Sequence, residues 1–512
     1  MSNFALLAHG FVTAISPINL FACLIGGIIG ILVGAMPGIG AVAGCSLLLP
    51  MTYKMNPTTG IIMLAGIYYG NMFGGAYSAI LLNIPGDSSA VMTSLDGYPL
   101  TRKGKAGQAL FNANMSSFVG GFVAILFLTA MGPTLAKVGL KFGPAELAAL
   151  VFMALTSIGW LLGDDPITCL IATGIGVLLS TIGIDQSSNH FRYTFGSMQL
   201  LAGINFIPLV IGMFGLSQVM EMLEPEDPSK QGHDYTGRLR IRDSFYSFKR
   251  FLELLPVMLR SAVLGMFVGF LPGAGGTTGA FLSYIMEKKI GRHKKEMGTG
   301  VLEGVSASEA ANNAAAAGAF VPLLALGIPG SSTTAVLLGG LQAWGLKPGP
   351  LLYEQEAEFV WGMTASMYIG NIMCVIGGIL VIPILMRILK VPKKILAPII
   401  IGVCVIGSYS VGNSIFDVWV MILAGIAAFY MKKSGYPMAP IVLAFVLGPI
   451  FELKARQALE ISNCNLLIFV QKPISAVFIG ITVILCLAPV VMNIVKKSKA
   501  KKAGSVVEVE EK

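Results

Sequence analysis

Four Pro-Gly dipeptides within apolar stretches are the positions in this sequence best suited to chemistry. They are Pro37-Gly38, Pro85-Gly86, Pro272-Gly273 and Pro329-Gly330. Proline lacks the backbone N–H that a helix interior needs, so each dipeptide predicts a break between two half-helices. The half-helix after a break exposes free N–H groups and about half a positive charge at its N-terminus, and both attract an anion. The breaks therefore predict four anion-binding helix ends.

The residues at and after these breaks are small or polar, and we expect them to bind a carboxylate. Hydroxyl groups beside free backbone N–H groups suit an anion, and glycine lets a ligand approach the backbone closely. The candidate substrate-binding residues are Pro37, Gly38, Gly40, Pro85, Gly86, Ser88, Ser89, Gly273, Gly275, Thr277, Thr278, Pro329, Gly330, Ser331, Ser332 and Thr333. The simpler explanation of any one motif is a proline kink with small residues for helix packing.

Polar side chains close to the breaks are candidates to bind a coupling cation. Ionisable residues within apolar segments are rare and usually mark ion or substrate pathways. We expect Na⁺ or H⁺, and no other cofactor, at five residues: Asp87, Asn71, Glu309, Asn312 and Asn313. In the alternative interpretation, Glu309 lies in water at the entrance of its helix and the asparagines only join helices.

The composition indicates what kind of protein positions these residues. Of 512 residues, 55% are hydrophobic and 12% are charged, whereas a soluble domain carries about 25% charged residues. This composition argues against a soluble enzyme, a nucleic-acid-binding protein and a disordered scaffold. The net charge of +9 clusters in short loops, a pattern of membrane topology rather than nucleic-acid binding. We therefore predict an all-α polytopic integral membrane protein that lies in the lipid bilayer and binds no nucleic acid.

Signatures of enzymes and metal sites are missing from the sequence. No Gly-Lys-Ser/Thr of a phosphate-binding loop follows the Pro-Gly motifs, and no Ser/His/Asp set or His-Glu-x-x-His motif occurs. The seven cysteines and four histidines lack metal-ligand spacing, so we expect no metal beyond Na⁺. We predict that the protein is not an enzyme and that an ion gradient or another chain supplies energy. The first basic residue is Lys54, so we expect no cleaved signal peptide.

Apolar runs long enough to span a bilayer, about twenty residues, recur along the chain. The clear runs are 108–130, 145–162, 166–184, 200–221, 359–386, 395–411, 417–431, 436–451 and 474–495. One long polar segment divides them into two halves. We therefore predict a first membrane repeat (1–223), a linker (224–250), a second membrane repeat (251–495) and a tail (496–512).

The two halves resemble each other in sequence. GAMPGIGAVAG at 34–44 matches GFLPGAGGTTG at 269–279, and NIPGDSSA at 83–90 matches GIPGSSTTA at 327–335. Corresponding loops differ in charge, because 50–58 holds only Lys54 whereas 287–296 holds five basic residues. Since basic loops stay in the cytoplasm, we predict inverted repeats, with the linker and the tail cytoplasmic. The segment around the third break is then a re-entrant hairpin, and 18–49 is its counterpart from the other face.

These motifs, together with EGVSASEAANNAAAAGAFVPLLALGIPGSSTTA at 303–335, resemble the large membrane subunit of tripartite tricarboxylate transporters (the TctA type). The resemblance covers essentially the whole chain. It implies a bacterial uptake system in the inner membrane, coupled to a sodium or proton gradient. It also implies two partners, a periplasmic solute-binding protein that delivers a di- or tricarboxylate such as citrate and a small four-helix membrane subunit. The oligomeric state stays open, a homodimer included.

The residues and the resemblance together predict a permease that imports di- or tricarboxylates. Its substrate is expected near the membrane midplane, between the facing helix N-termini at Pro85-Gly86 and Pro329-Gly330. We expect access to alternate by movement of a hairpin-bearing core against a scaffold of uninterrupted helices. One alternative is a stand-alone ion-coupled organic-anion carrier without a binding protein. Another is a membrane-embedded enzyme or scaffold that uses Glu309 or Asp87 chemically. The sequence does not indicate which carboxylate or which ion is carried.

Overall fold

The computed structural model describes residues 2–36, 39–161, 165–185, 188–224, 245–388, 393–484 and 486. Regular structure in these residues is almost entirely helical. Strands β1 (Gly183–Ile184) and β2 (Phe191–Arg192) form one short antiparallel hairpin. The predicted all-α polytopic fold is confirmed.

In the first half of the chain, a short interruption follows each of the first two helices. Pro57 is the first residue of α4, where its missing N–H costs nothing, and Asn56 caps that helix through Thr58 N–H. The helices of this half are α1 (Asn3–Ile15), α2 (Pro17–Ala35), α3 (Gly40–Thr52), α4 (Pro57–Leu82), α5 (Val91–Arg102), α6 (Ala106–Gly139), α7 (Pro144–Leu161), α8 (Pro166–Ser180), α9 (Phe206–Val210) and α10 (Ser217–Leu223). A 3₁₀ turn, Ser88–Ala90, precedes α5, and a π-helical segment, Ile211–Leu216, joins α9 to α10.

The second half repeats this order of long, broken and short helices. Its helices are α11 (Phe248–Phe270), α12 (Gly275–Ile290), α13 (Leu302–Gly318), α14 (Phe320–Leu326), α15 (Ser332–Ala343), α16 (Leu352–Gln355), α17 (Ala357–Ile388), α18 (Lys393–Gly412), α19 (Ile415–Lys433), α20 (Met438–Ile461), α21 (Ile468–Gln471) and α22 (Pro473–Ile484). The Pro-Gly breaks of this half fall between α11 and α12 and between α14 and α15, as the sequence predicts.

Eight helices within the described residues are long and apolar enough to cross a membrane. They are Pro17–Ala35, Ala106–Gly139, Phe206–Leu223, Phe248–Phe270, Ala357–Val381, Lys394–Gly412, Ile415–Lys433 and Met438–Ile461. Six coincide with predicted spans, and the other two, α2 and α11, belong to interrupted segments. The predicted run 166–184 is too long, because α8 ends at Ser180 and the chain enters β1. The predicted run 200–221 starts too early, since α9 begins only after the Asn205 cap.

The two hairpins enter from opposite ends of the molecule. At one end, which we call the linker end, Arg250 near the start of α11 and His293 just after α12 both contact Glu303, at 3.0 and 2.9 Å. At the other, the far end, the hydroxyl of Thr59 in α4 donates to Asn19 near the start of α2, at 2.6 Å. Each hairpin thus starts and ends beside the first turn of the following helix, as expected for inverted repeats.

In each repeat, the half-helix after the second Pro-Gly break (α5 or α15) packs against the other repeat, near the end of its hairpin. At the linker end, Asp96 of α5 accepts hydrogen bonds from the N–H groups of Gly298, Gly300 and Val301, at 2.8–3.0 Å, and from the Tyr284 hydroxyl at 2.8 Å. At the far end, the indole of Trp344 after α15 packs against Gly60 of α4. The repeats therefore interlock at both ends.

The same glycine seam occurs in both repeats and confirms that they are structurally equivalent. Gly34 of α2 packs on the backbone of Asn71 in α4, and Gly269 of α11 packs on the backbone of Ala315 in α13. The corresponding residues lie 235 and 244 positions apart, as the matching prolines do. Small residues at such crossings allow helix backbones to approach closely, which replaces hydrophobic driving force inside a bilayer.

Two of the predicted segments lie mainly outside the described residues. Most of the linker, 225–244, and the tail, 496–512, are not described. The end of α10, just before the undescribed residues, is held to α19, because Lys432 pairs with Glu221 at 3.2 Å and Lys433 pairs with Glu224. The domain boundaries and the cytoplasmic placement of linker and tail remain predictions.

Candidate functional site

The second and fourth breaks are built by residues with left-handed backbone at matching positions. Asn83 ends α4 with φ 58°, and Gly327 ends α14 with φ 72°. Gly40 and Gly275, which start the second arm of each hairpin, have φ 62° and 59°. Glycine and asparagine adopt this region most readily. Both halves of the chain therefore break their helices in the same way.

The breaks converge on one region of the molecule. Gly86 packs on the carbonyl of Gly34, and Gly330 packs on the carbonyl of Gly269, so each second break rests on the hairpin of its own repeat. The two repeats meet where the hydroxyls of Ser88 and Thr277 hydrogen bond at 2.8 Å. This contact joins the second break to the third, across 189 residues of sequence.

Asp87 links two helix ends in the first repeat. One carboxylate oxygen accepts the N–H of Ala41 at the start of α3, at 3.2 Å. The other accepts the N–H and hydroxyl of Ser89 at 3.0 and 3.1 Å and the hydroxyl of Ser88 at 3.3 Å. Both oxygens of Asp87 are therefore hydrogen bonded, Oδ2 to one donor and Oδ1 to three.

Ser331 stands at the equivalent position of the second repeat and behaves differently. Its hydroxyl accepts the Thr334 N–H at 3.2 Å, while Thr334 reaches back to the Ser331 N–H at 2.8 Å, which forms a capping box at the start of α15. The Ser331 hydroxyl also lies 3.1 Å from the hydroxyl of Tyr68, in α4 of the other repeat. The fourth break is thus held by both halves of the chain.

Glu309 is a fully buried carboxylate in the middle of α13. Thr93 of α5 donates to one of its oxygens, and Ser117 of α6 donates to the other at 3.2 Å. Within the described part of the chain, no lysine, arginine or histidine forms an ion pair with it. The alternative in which Glu309 lies in water at the entrance of its helix is wrong, because α5, α6 and α13 enclose it.

Several polar groups near Glu309 and the breaks are buried without a partner among the described residues. Both amide atoms of Asn71 and of Asn312 make no hydrogen bond, and neither do the amide oxygen of Asn313 and the hydroxyl of Tyr69. Buried polar atoms are normally satisfied, so unpaired ones call for an ion, a water or a ligand. Asn313 uses its amide nitrogen to reach the Glu309 carbonyl at 3.2 Å.

The remaining predicted residues take varied positions. Pro37 and Gly38 lie outside the described residues. Pro329, Gly330 and Thr333 are buried at the fourth break, whereas Thr277 is exposed and Thr278 is half-buried on α12. Gly273 donates its N–H to the carbonyl of Gly330 at 3.1 Å, which joins the third and fourth breaks. Pro85 and Ser332 are half-buried beside their breaks.

Sequence reasoning missed the hydroxyl partners of the buried acid. Thr93 and Ser117 lie in helices predicted only as apolar or loop-flanking segments, 216 and 192 residues from Glu309. Tyr68, which contacts Ser331 from the other repeat, was missed for the same reason. No cluster of three or more His, Cys, Asp or Glu side chains is found in the described ranges.

A separate charged cluster closes the far end, away from the breaks. Arg192 of β2 pairs with Asp185 at 2.8 Å and with Glu452 at 2.9 Å, and Arg456 pairs with the same two acids. The hydrogen bond to Glu452 holds the pKa of the Arg192 guanidinium above its ordinary value. The cluster borders a cavity of about 220 Å³ and fixes the loop between α8 and α9 to α20.

Comparison with known proteins places these features in a family. The model of the tripartite tricarboxylate transporter TctA family matches residues 20–443. An uncharacterized 52.8 kDa protein in the TAR-I ttuC' 3' region of Agrobacterium vitis is 40% identical over 475 residues, which cover 93% of this chain and 94% of that protein. An uncharacterized protein in the TAR-II ttuC' 3' region of the same organism is 40% identical over 228 residues, 44% of this chain and 94% of that protein. No solved structure matches. With all four breaks falling inside the matched range, the chain belongs to the TctA family of membrane transporters.

Proposed function

We propose that this chain is the permease of a secondary transporter that imports di- or tricarboxylates of the citrate type into a bacterial cell. A gradient of Na⁺ or H⁺ across the inner membrane drives the import. A periplasmic solute-binding protein delivers the substrate, and a small four-helix membrane subunit accompanies the permease. Family membership supports membrane transport, while substrate class, ion and partners are parts of the proposal.

The observation that carries the proposal is a buried carboxylate without a basic partner beside converging helix breaks. Glu309 is fully buried, and its two hydroxyl partners carry no charge. Moving a lone carboxylate out of water costs several kcal/mol or more unless a cation accompanies it. A proton or Na⁺ at Glu309, with the unpaired amide of Asn312 and the unpaired amide oxygen of Asn313 nearby, would meet that need.

The broken helices provide the complementary anion site. The first turn of α15 carries the hydroxyls of Ser332 and Thr333 beside N–H groups that have no partner within the helix. The start of α12 adjoins it, because the Gly273 N–H donates to the Gly330 carbonyl at 3.1 Å. These groups attract a carboxylate, and the cation site lies within the same part of the core because Asn312 contacts Gly276 of α12. Binding the cation first would reduce the negative potential of Glu309 that otherwise repels an anionic substrate.

The test is uptake of labelled citrate into proteoliposomes that contain the permease and the small subunit. Imposed sodium and proton gradients are compared, each with and without the cognate binding protein. We expect uptake that needs one of the gradients and the binding protein. Uptake without the binding protein would support a stand-alone carrier. Failure to move citrate or any other di- or tricarboxylate under every gradient would refute the proposed substrate class.

A further inference from the structure

The second breaks of the two repeats can be compared residue by residue. Ser331 follows Asp87 by 244 positions, and Thr333 follows Ser89 by the same number. Gly276 follows Ala41 by 235 positions, the offset between the matching first breaks. The donors around Asp87 therefore have counterparts in the second repeat.

In the first repeat these donors surround a carboxylate that belongs to the chain. Asp87 accepts from the N–H of Ala41, from the N–H and hydroxyl of Ser89 and from the hydroxyl of Ser88. We call this set of donors the first cradle. It joins the N-terminus of α3 to the turn before α5, and it shows that this geometry receives a carboxylate group.

In the second repeat the equivalent donors have no carboxylate. The second cradle consists of the N–H groups of Gly276 and Thr333 with the hydroxyls of Ser332 and Thr333, all in the first turns of α12 and α15. N–H groups in a first turn have no partner within their own helix. Ser331 is too short to reach them, and its hydroxyl is directed to Thr334 and Tyr68.

The space beside Gly275 is open, and a buried polar side chain adjoins Gly276. Only the Cβ of Ser331, at 3.8 Å, lies within 4 Å of where a Cβ on Gly275 would stand, whereas at Gly40 a carboxylate oxygen of Asp87 lies 3.1 Å away. The side chain of Asn312 is fully buried, its amide atoms make no hydrogen bond among the described residues, and its amide oxygen lies against Gly276. A buried unpaired amide at a helix N-terminus is the mark of a ligand that completes it.

We propose that a carboxylate group of the substrate binds in the second cradle, while the chain's own Asp87 permanently fills the first. This inference rests on the transport function proposed above and narrows it to one anion site per chain. Asp87 is then an internal anion that holds two helix ends together, rather than a ligand of the coupling cation.

The test copies the first cradle into the second. In Ser331→Asp the new carboxylate should occupy the second cradle, as Asp87 occupies the first, and exclude the ligand. The probes are sodium acetate, with sodium chloride as the reference, and labelled citrate, each applied to the purified full-length protein in detergent. We expect acetate to raise the unfolding midpoint of the wild-type protein and to have no effect on Ser331→Asp. Citrate affinity should fall by about tenfold or more.

Ser331→Asn is the matched control, because asparagine has nearly the same size as the aspartate of Ser331→Asp but carries no charge. It should keep a response to acetate, whereas an equal loss in both variants would indicate a steric effect and overturn the proposal. Persistence of the acetate response in Ser331→Asp would also overturn it.

The reverse variant keeps the proposal testable even if Ser331→Asp does not fold. Asp87→Ser empties the first cradle, so its unfolding midpoint should drop and acetate should restore most of the loss. A drop that acetate does not restore would show that the first cradle is no carboxylate site, which overturns the proposal. These acetate measurements do not depend on citrate. Their failure is thus distinct from an absence of citrate uptake, which would refute the proposed substrate class alone.

Discussion

The glycine seam between α11 and α13 predicts that Gly269→Ala destabilises the protein through backbone overlap. A Cβ on Gly269 would lie 2.7 Å from both the Cα and the carbonyl carbon of Ala315. Because the obstacle is the backbone of α13, no side-chain rotation can relieve the overlap. The two helices must separate, and the third break, which follows Gly269 directly, must move with α11.

The magnitude follows from this geometry. Carbon atoms approach comfortably at about 3.5–4.0 Å, so the helix axes must part locally by about 1 Å. Overpacking by a methyl group costs about 1–3 kcal/mol, and the better helix propensity of alanine returns up to about 1 kcal/mol of this. We expect a net loss of about 1–2 kcal/mol together with reduced citrate uptake. Gly34→Ala in the first repeat should behave in the same way, since Gly34 packs on Asn71 as Gly269 packs on Ala315.

The assay is the thermal unfolding midpoint of the purified protein in detergent, read by size-exclusion chromatography after heating. Gly174→Ala is the control, because Gly174 lies in α8 and no atom lies within 4 Å of the point where the new methyl group would stand. The control should leave the midpoint unchanged or raise it, since only helix propensity changes. If Gly269→Ala and Gly174→Ala gave equal midpoints, the close approach of α11 and α13 would be refuted.

Three further predictions concern the buried acids and the orientation. Glu309→Gln keeps the side-chain shape but removes the charge, so substrate exchange should persist while uptake no longer responds to an imposed ion gradient; an unchanged response would exclude Glu309 from coupling. In Asp96→Asn the new amide cannot accept hydrogen bonds from both Tyr284 and the three N–H groups. The free energy of unfolding should therefore fall by about 1.5–3 kcal/mol, seen as a lower midpoint in the same thermal assay. The control Asp165→Asn, at an exposed N-cap, should leave the midpoint almost unchanged. Cys464 is exposed after α20, at the far end of the molecule, opposite the linker that we predict to be cytoplasmic. A membrane-impermeant maleimide should therefore label it in intact cells and should not label Cys464→Ser; labelling only after lysis would contradict the predicted topology.

Local features of the fold were predictable because they depend on neighbours in the chain. The four helix breaks follow from proline and glycine within apolar runs, and the uninterrupted spans follow from hydrophobic length. The duplication was visible as repeated motifs at nearly constant offset. Helix ends were less predictable: α8 stops at Ser180 although apolar residues continue, because the chain there pairs into β1 and β2.

The surroundings of the candidate site depend on contacts that the order of residues does not reveal. Glu309 could be recognised as an unusual acid, but its burial and its partners Thr93 and Ser117 come from helices of the other repeat. Asp87 and Ser331 look like two similar polar residues after two similar motifs. Their sequence assigns Asp87 to a cation and Ser331 to the substrate, whereas their hydrogen bonds show that Asp87 fills its own cradle and Ser331 does not.

The amino-acid order alone therefore established a duplicated, inverted, all-helical membrane protein with four broken helices, because periodicity, hydrophobic length and helix-breaking residues act over a few turns. The tertiary structure decided which of the polar residues are paired, which are buried without a partner and which helix ends face one another. Those properties depend on the packing of segments about two hundred residues apart. They are set by backbone approach at seams such as Gly34 on Asn71 and Gly269 on Ala315, where the absence of a side chain brings two helices together.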